Sequence, residues 1–155
     1  MPSKLQDEIK QTKPFASPGS EAMVSILRTA AVLEHATAEA LKPFGVTVTQ
    51  YNVLRILRGA HPEGLCGREV GDRLVAQVPD VPRLLDRMEE MGLISRTRDT
   101  NDRRHVTARI TAKGLAVINE SRTTLDAIEA QRLAGLSPQQ LQGIIESLAI
   151  IRGNV

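Results

Sequence analysis

Residues 84–114 read LLDRMEEMGLISRTRDTNDRRHVTARITAKG, and the period of the apolar positions changes twice along them. Leu84, Leu85, Met88 and Met91, with Val81 just upstream, recur at helical spacing until Gly92 stops the helix. From Ile94 the pattern shortens to two. Ile94, Arg96 and Arg98 alternate with Ser95 and Thr97, and Val106, Ala108 and Ile110 share one face of a return strand. Between them Asp99–Asp102 is a polar turn of ordinary loop residues. Thr111 and Gly114 mark the exit into a long helix. The stretch therefore predicts a helix feeding directly into a β-hairpin, which feeds another helix.

Working upstream, GREVGDRL reads as a short helix, broken near Ala76 and Gln77 before PDVPRLLDRMEEMG begins. Two short helices on a tight connection predict a helix-turn-helix. Before it, Thr49 is placed to cap a helix over TQYNVLRILRGA, with Val53, Leu54, Ile56 and Leu57 largely on one side. An Ala-rich helix carrying Ile26, Leu27, Ala30, Leu33 and Leu41 starts at Glu21 and stops at Pro43 and Gly45. Residues 1–20, with Pro2, Pro14, Pro18 and Gly19, show no sustained period and read as a flexible or loosely docked arm. Downstream, Leu115, Ile118, Leu125, Ile128 and Leu133 stripe the long helix. Ser137, Pro138 and Gln140 then supply the cap, first residue and capping-box partner of a last helix bearing Leu141, Ile144, Ile145, Leu148 and Ile151. The expected class is mostly α with a small β-hairpin.

Composition narrows the function. The 155 residues are ordinary for one globular domain, at 41% hydrophobic and 25% charged. No apolar run is long enough to span a membrane, and the N-terminal stretch lacks the apolar core of a signal peptide, so a cytoplasmic protein is expected. The single cysteine, Cys66, forms no internal disulfide, which fits that compartment. Aromatic residues are only 2%, which disfavours modules that stack single-stranded bases. Catalytic signatures are missing: there is no Gly-rich phosphate loop, no H-E-x-x-H and no G-x-S-x-G, so the chain is read as no enzyme, with no cofactor. His61 and Cys66 lack zinc-site spacing, so no metal is expected. Cys66 reads as a small, partly buried residue and His35 as a packed or solvated helix residue.

The charge is more informative split than summed. Residues 95–113 hold Arg96, Arg98, Arg103, Arg104, Arg109 and Lys113 against Asp99 and Asp102. Six cations against two acids make +4, which leaves −2 for the rest of a chain whose total is +2. A charged hairpin alone is usually a solvated, aggregation-resistant edge. Directly after a helix-turn-helix it points instead to duplex DNA. Arg103 and Arg104 at the tip suit the negative potential of a minor groove, and Arg96 and Arg98 on the stem suit phosphates. The second helix of the pair would present Gln77, Asp80 and Arg83, with Arg87 one turn on, to base edges. Arg87 alternatively pairs with Glu90 on its own helix. Asp102 reads as structural, bonding turn amides or pairing with Arg104 so that the tip keeps its shape. Arg109 and Lys113 also read as solvated.

These residues carry a family resemblance. A helix ending Asp-Arg-Met-Glu, then Gly-Leu-Ile, the strand Ser-Arg-Thr-Arg, the tip Asp-x-x-Asp-Arg-Arg and the closing Ile-Thr-x-Lys-Gly together resemble the MarR family of winged-helix transcription regulators. The upstream TQYNVLRIL fits the family's second helix, and the resemblance runs from about residue 21 onward. It implies a single winged-helix domain over 21–155, with a DNA-binding lobe at about 49–111 and dimerisation helices at about 21–43 and 112–153. By position, Asp80, Pro82, Arg83 and Arg87 lie on the recognition helix, Arg103 and Arg104 at the wing tip, and Asp102 holds the tip. The resemblance further implies a homodimeric repressor on a near-palindromic operator, modulated by a small aromatic or anionic ligand bound between stem and lobe.

One position departs from the family pattern. Pro82 stands where relatives often carry a small hydroxyl residue able to bond a phosphate. Proline lacks an amide hydrogen and biases Val81 away from helical geometry. The recognition helix then starts near Val81 or Pro82, or at Pro79 with Pro82 still inside the first turn. The same residue sustains the alternative of a dimeric protein-interaction module that has kept the fold but lost DNA binding.

Overall fold

The computed structural model describes residues 1–153. The chain divides into two compact units, Met1–Ser121 and Arg122–Val155. In the first, helices α1 (Lys4–Glu8), α2 (Pro18–Leu41) and α3 (Val48–Gly59) precede strand β1 (Leu65–Cys66). Helices α4 (Gly67–Arg73) and α5 (Val81–Glu90) follow, then strands β2 (Ile94–Arg98) and β3 (Val106–Ile110) and the start of α6 (Ala112–Leu133). The second unit holds the rest of α6 and α7 (Pro138–Ile151).

The expected mostly helical class with a β-hairpin is found, enlarged by one strand. β1 pairs antiparallel with β3, giving a three-stranded sheet in the order β1-β3-β2. A two-residue strand shows no alternation, so β1 has no sequence signal of its own. β2 and β3 pair in the hairpin register, Ile94 opposite Ile110 and Arg98 opposite Val106. The core of the unit collects Val53, Leu54 and Leu57 from α3, Val70 from α4, Leu85 and Met88 from α5, and Ile94, Ala108 and Ile110 from the sheet, with Ile118 from α6.

Helix boundaries move where capping chemistry decides them. α2 begins at Pro18 rather than Glu21, because Ser17 accepts from the Ser20 amide and proline is tolerated at the first helical position. The cap of α3 is Thr47, not Thr49. Its hydroxyl accepts from Gln50 N (3.1 Å) while Gln50 Oε1 accepts from Thr47 N (3.0 Å), a reciprocal box that Thr49 has no partner to form. Within residues 1–20, Ser3 and Gln6 form the same box and start the short α1, with Gln6 buried. The last helix starts as the sequence predicts, with Ser137 and Gln140 bonded reciprocally (3.2 and 2.8 Å) and Pro138 first.

The closing Ile-Thr-x-Lys-Gly motif has a local cause. Thr111 Oγ1 donates to Gly92 O (2.7 Å) and accepts from Gly114 N (3.1 Å), so one hydroxyl joins the end of α5 to the start of α6. Lys113 Nζ donates to Met91 O (2.7 Å). A Cβ on Gly114 would lie 2.4 Å from Leu93 O and 2.7 Å from Ile110 Cγ1, so only glycine lets α6 start this close to the sheet.

Candidate nucleic-acid interface

α4, the connection Val75–Asp80 and α5 form the helix-turn-helix, and α5 packs on both α4 and β2. Asp80 is the N-cap of α5: its Oδ1 accepts from Arg83 N (3.0 Å). α5 therefore starts at Val81 and Pro82 falls inside its first turn, where a missing N–H breaks no helical bond. Asp80, Pro82, Arg83 and Arg87 are all exposed at this end of the helix or one turn on. Gln77 is also exposed, but it lies in the connection, ahead of the helix start at which the sequence placed it. Pro79 and the Asp80 cap delay the helix, which is why Gln77 falls outside. Arg87 pairs with Glu90 (3.5 Å), its exposed same-helix partner.

The hairpin sorts its basic residues by what holds each one. Arg96 is a fastening. Its guanidinium Nη2 bonds Asp86 and Glu89 (3.1 Å to Glu89), and its backbone N–H donates to Glu89 Oε2 (2.9 Å). Those hydrogen bonds, Asp86 first, hold its charged form more firmly than usual. The sequence reading expects Arg96 to suit a phosphate; in this structure the two α5 carboxylates pair with it and join the sheet to α5. Arg98 braces the tip by donating from Nη1 to Arg103 O (3.1 Å). Arg109 bridges to Pro62 O (3.2 Å) and Thr97 Oγ1 (2.8 Å).

The tip is built from its own polar groups. Asp99 Oδ1 accepts from Asn101 N (2.9 Å) and Asp102 Oδ1 from Arg104 N (3.0 Å). Asp99 N donates to His105 O (2.9 Å) and His105 N to Asp102 O (3.0 Å). Of the two roles open to Asp102, the turn-amide bond is the one formed. Arg103 and Arg104 are exposed, and among the described residues neither guanidinium has a carboxylate partner. The focused +4 thus resolves into one neutralised arginine, several cations anchored to carbonyl or hydroxyl oxygens, and two presented at the tip.

Sequence reading passed over two residues. Arg68, exposed on the first turn of α4, lines a groove of about 570 Å³ with Val81, Pro82, Leu85 and Arg96. Its position in a short polar helix looks like any solvated arginine. Asn52, on α3, accepts from Val75 N (2.9 Å) across 23 residues, and no local pattern signals a contact that distant. A second cavity of about 570 Å³ lies where α2, α3 and the connection meet, lined by Ala30, Glu34, Val48, Thr49, Tyr51, Asn52, Arg55, Val75 and Ala76. Cys66 is half-buried as the N-cap of α4, and its backbone N–H is held by Glu69 Oε2 (2.8 Å).

A family model described as the MarR family matches residues 46–106, the helix-turn-helix and most of the hairpin. The chain is similar to a MarR transcription factor from Planctomyces limnophilus, at 32% identity and a TM-score of 0.68, over 88% of this chain and 98% of that one. It is similar to CouR from Rhodococcus jostii RHA1, solved with p-coumaroyl-CoA, at 25% identity and a TM-score of 0.70, over 88% and 95% of the two chains. A mutant MarR from E. coli complexed with operator DNA shares the fold at 20% identity and a TM-score of 0.73, over 96% and 99%. The braced wing, the capped recognition helix and a relative matched along nearly its whole length agree: the chain belongs to the MarR family of winged-helix transcription regulators.

Proposed function

We propose that the chain is a homodimeric repressor that binds double-stranded DNA by sequence and is modulated by a small ligand. The observation that carries DNA binding is the pair Arg103 and Arg104, free at a tip that Asp99, Asp102 and Arg98 brace from within. A braced tip loses little freedom on binding, so the attraction of two arginines for a narrow groove is retained. Arg83, and Asp80 through the oxygen its cap bond leaves free, would read base edges from the start of α5, with Arg87 and Gln77 beside them. Arg98 contributes charge from the stem.

Dimerisation is supported by apolar side chains left in solvent. Met23, Leu27 and Leu33 are exposed on α2, and Ile144, Ile145, Ile150 and Ile151 on α7. Surfaces of that kind mark interaction sites. Two protomers would read a near-palindromic operator with half-sites about 10 base pairs apart. The ligand would enter the cavity between α2, α3 and the connection, where Arg55 can meet an anionic group and Tyr51 an aromatic ring. The role is binding rather than catalysis, and its place is with the DNA in the cytoplasm.

Selection of duplexes from a random-sequence pool by the purified chain tests the reading. A recovered near-palindrome, bound as two protomers per duplex, is the expected result. Recovery of no sequence, with a stable dimer in solution, would favour the second reading of an interaction module. That reading is favoured by Pro82, which removes an amide from the first turn of the recognition helix.

A further inference from the structure

The recognition helix is only as well placed as the connection that leads into it. α4 ends at Arg73, and Leu74 leaves it in extended geometry (ψ 138°). The chain then crosses six residues, Val75–Asp80, before α5 begins. Val75 is 91% exposed, and Ala76 and Gln77 are exposed, so side-chain packing does not hold the first half of the connection. Pro79 has no amide hydrogen. Asp80 bonds forward, into α5. Among the described residues, the one hydrogen bond that ties the connection back to an earlier element is Val75 N–H to Asn52 Oδ1, at 2.9 Å.

Asn52 stands on a rigid platform. Its neighbours on α3, Val53 and Leu54, and Leu57 one turn on, are fully buried in the core. At the far end of the connection, the first turn of α5 is placed by packing: Val81 Cγ2 lies 3.3 Å from where a Cβ on Gly71 would stand, so α4 and α5 touch closely there. One end is therefore fixed by apolar contact and the other by a single side-chain bond.

We propose that Asn52 is a positioning residue for sequence recognition. By fixing the entry of the connection it sets how α5 is turned toward the bases, and hence how Asp80 and Arg83 are presented. The wing has its own bracing and does not depend on this bond. This role for Asn52 rests on the DNA-binding reading above.

The test uses the full chain and a duplex that the wild type selects from a random pool, with a scrambled duplex of equal length. Asn52→Ala is expected to lower the preference for the selected duplex about tenfold, the scale of one hydrogen bond. Affinity for the scrambled duplex and the salt slope should stay at wild-type values, and the melting temperature should fall only slightly. Asn52→Asp keeps the acceptor oxygen and should restore the preference. If Asn52→Ala retains the full preference, weakens both duplexes alike, or lowers the melting temperature in step with binding, the role is overturned. Failure of Asn52→Asp to rescue overturns it as well. If the wild type selects no sequence, the DNA-binding reading itself falls; if it selects one and Asn52→Ala equals it, only the role of Asn52 falls.

Discussion

The wing tip and the first turn of the recognition helix use the same device to different ends. In each, an aspartate accepts a backbone amide just ahead of it: Asp102 from Arg104 in the wing, Asp80 from Arg83 on α5. In the wing this leaves two arginine side chains free beside a carboxylate that is already occupied. On the helix it fills one of the few donors that Pro82 has left, and sets a negative charge at the start of α5. The wing presents charge, which on the proposed reading every DNA sequence would satisfy. On the proposed reading, the carboxylate at the helix start would disfavour indiscriminate anion binding and favour neighbours that donate, such as a cytosine amino group. General affinity and discrimination would then be divided between two elements that Arg96 holds together.

The sharpest way to break that division is at the wing. Arg103→Ala with Arg104→Ala should weaken binding to all duplexes by one to two orders of magnitude and reduce the salt slope by about 1.8, since each phosphate left without its arginine lowers it by about 0.9. Competition assays across a salt series would show it, and preference among sequences should survive. An unchanged slope would place the phosphate-binding cations elsewhere, Arg68 being the first place to look. Next in size is the link between the two elements. Arg96→Met removes the guanidinium's bonds to Asp86 and Glu89, keeps the backbone bond to Glu89, and leaves two carboxylates facing the sheet without a counter-charge. Because both acids are well exposed, the expected cost is moderate, about 1–2 kcal/mol in chemical denaturation. Specific binding should fall further than stability, since the wing and α5 would no longer share one frame.

That residue also marks the limit of what the sequence discloses. Helix and hairpin order followed from the change of period at Gly92 and Thr111, and Asp102 was readable because an aspartate two residues before an amide makes a familiar turn. The ion pairs of Arg96 were not legible because its partners belong to a different element: alternation places a side chain on a face of the sheet but does not say that Asp86 and Glu89 approach that face. Thr49 for Thr47 was an error of the same order. Caps are chosen by reciprocal geometry over three residues, and several nearby hydroxyl or amide side chains compete for the role. β1 is two residues long and exists because β3 offers it an edge, which is a tertiary fact. Asn52 had no local signal at all.

At the helix start, Asp80→Ala removes both the cap and the free carboxylate oxygen. It should cost about 1 kcal/mol of stability, and Asp80→Asn, which still caps, should cost only a few tenths. The two variants separate capping from reading. If Asp80 contacts a base, Asn should change which base is preferred at one position of the selected duplex while leaving stability nearly intact. If selected sequences are identical for wild type and Asp80→Asn, the carboxylate is a cap alone, and discrimination passes to Arg83.

The smallest expected effect concerns a third carboxylate bonded to a backbone amide, Glu69, which holds Cys66 N–H at the start of α4. That bond is the main reason its carboxyl titrates below the ordinary glutamate range. A carboxylate whose pKa is lowered on folding stabilises the fold above its unfolded pKa, and the contribution is lost as the pH falls through the folded value. Stability should therefore decline slightly over the acid side of the glutamate range, and the Glu69 carboxyl should titrate low when followed by NMR. Glu69→Gln keeps an acceptor for Cys66 N–H without the charge and should flatten that part of the acid limb. Binding to DNA at neutral pH should be unaltered, because the bond secures the beginning of α4, while α5 packs near Gly71 towards the end of α4 and the connection is tied at Val75 by Asn52. A loss of specific binding in Glu69→Gln at neutral pH would instead show that α4 and α5 move as one body and that the two ends of the helix-turn-helix are coupled.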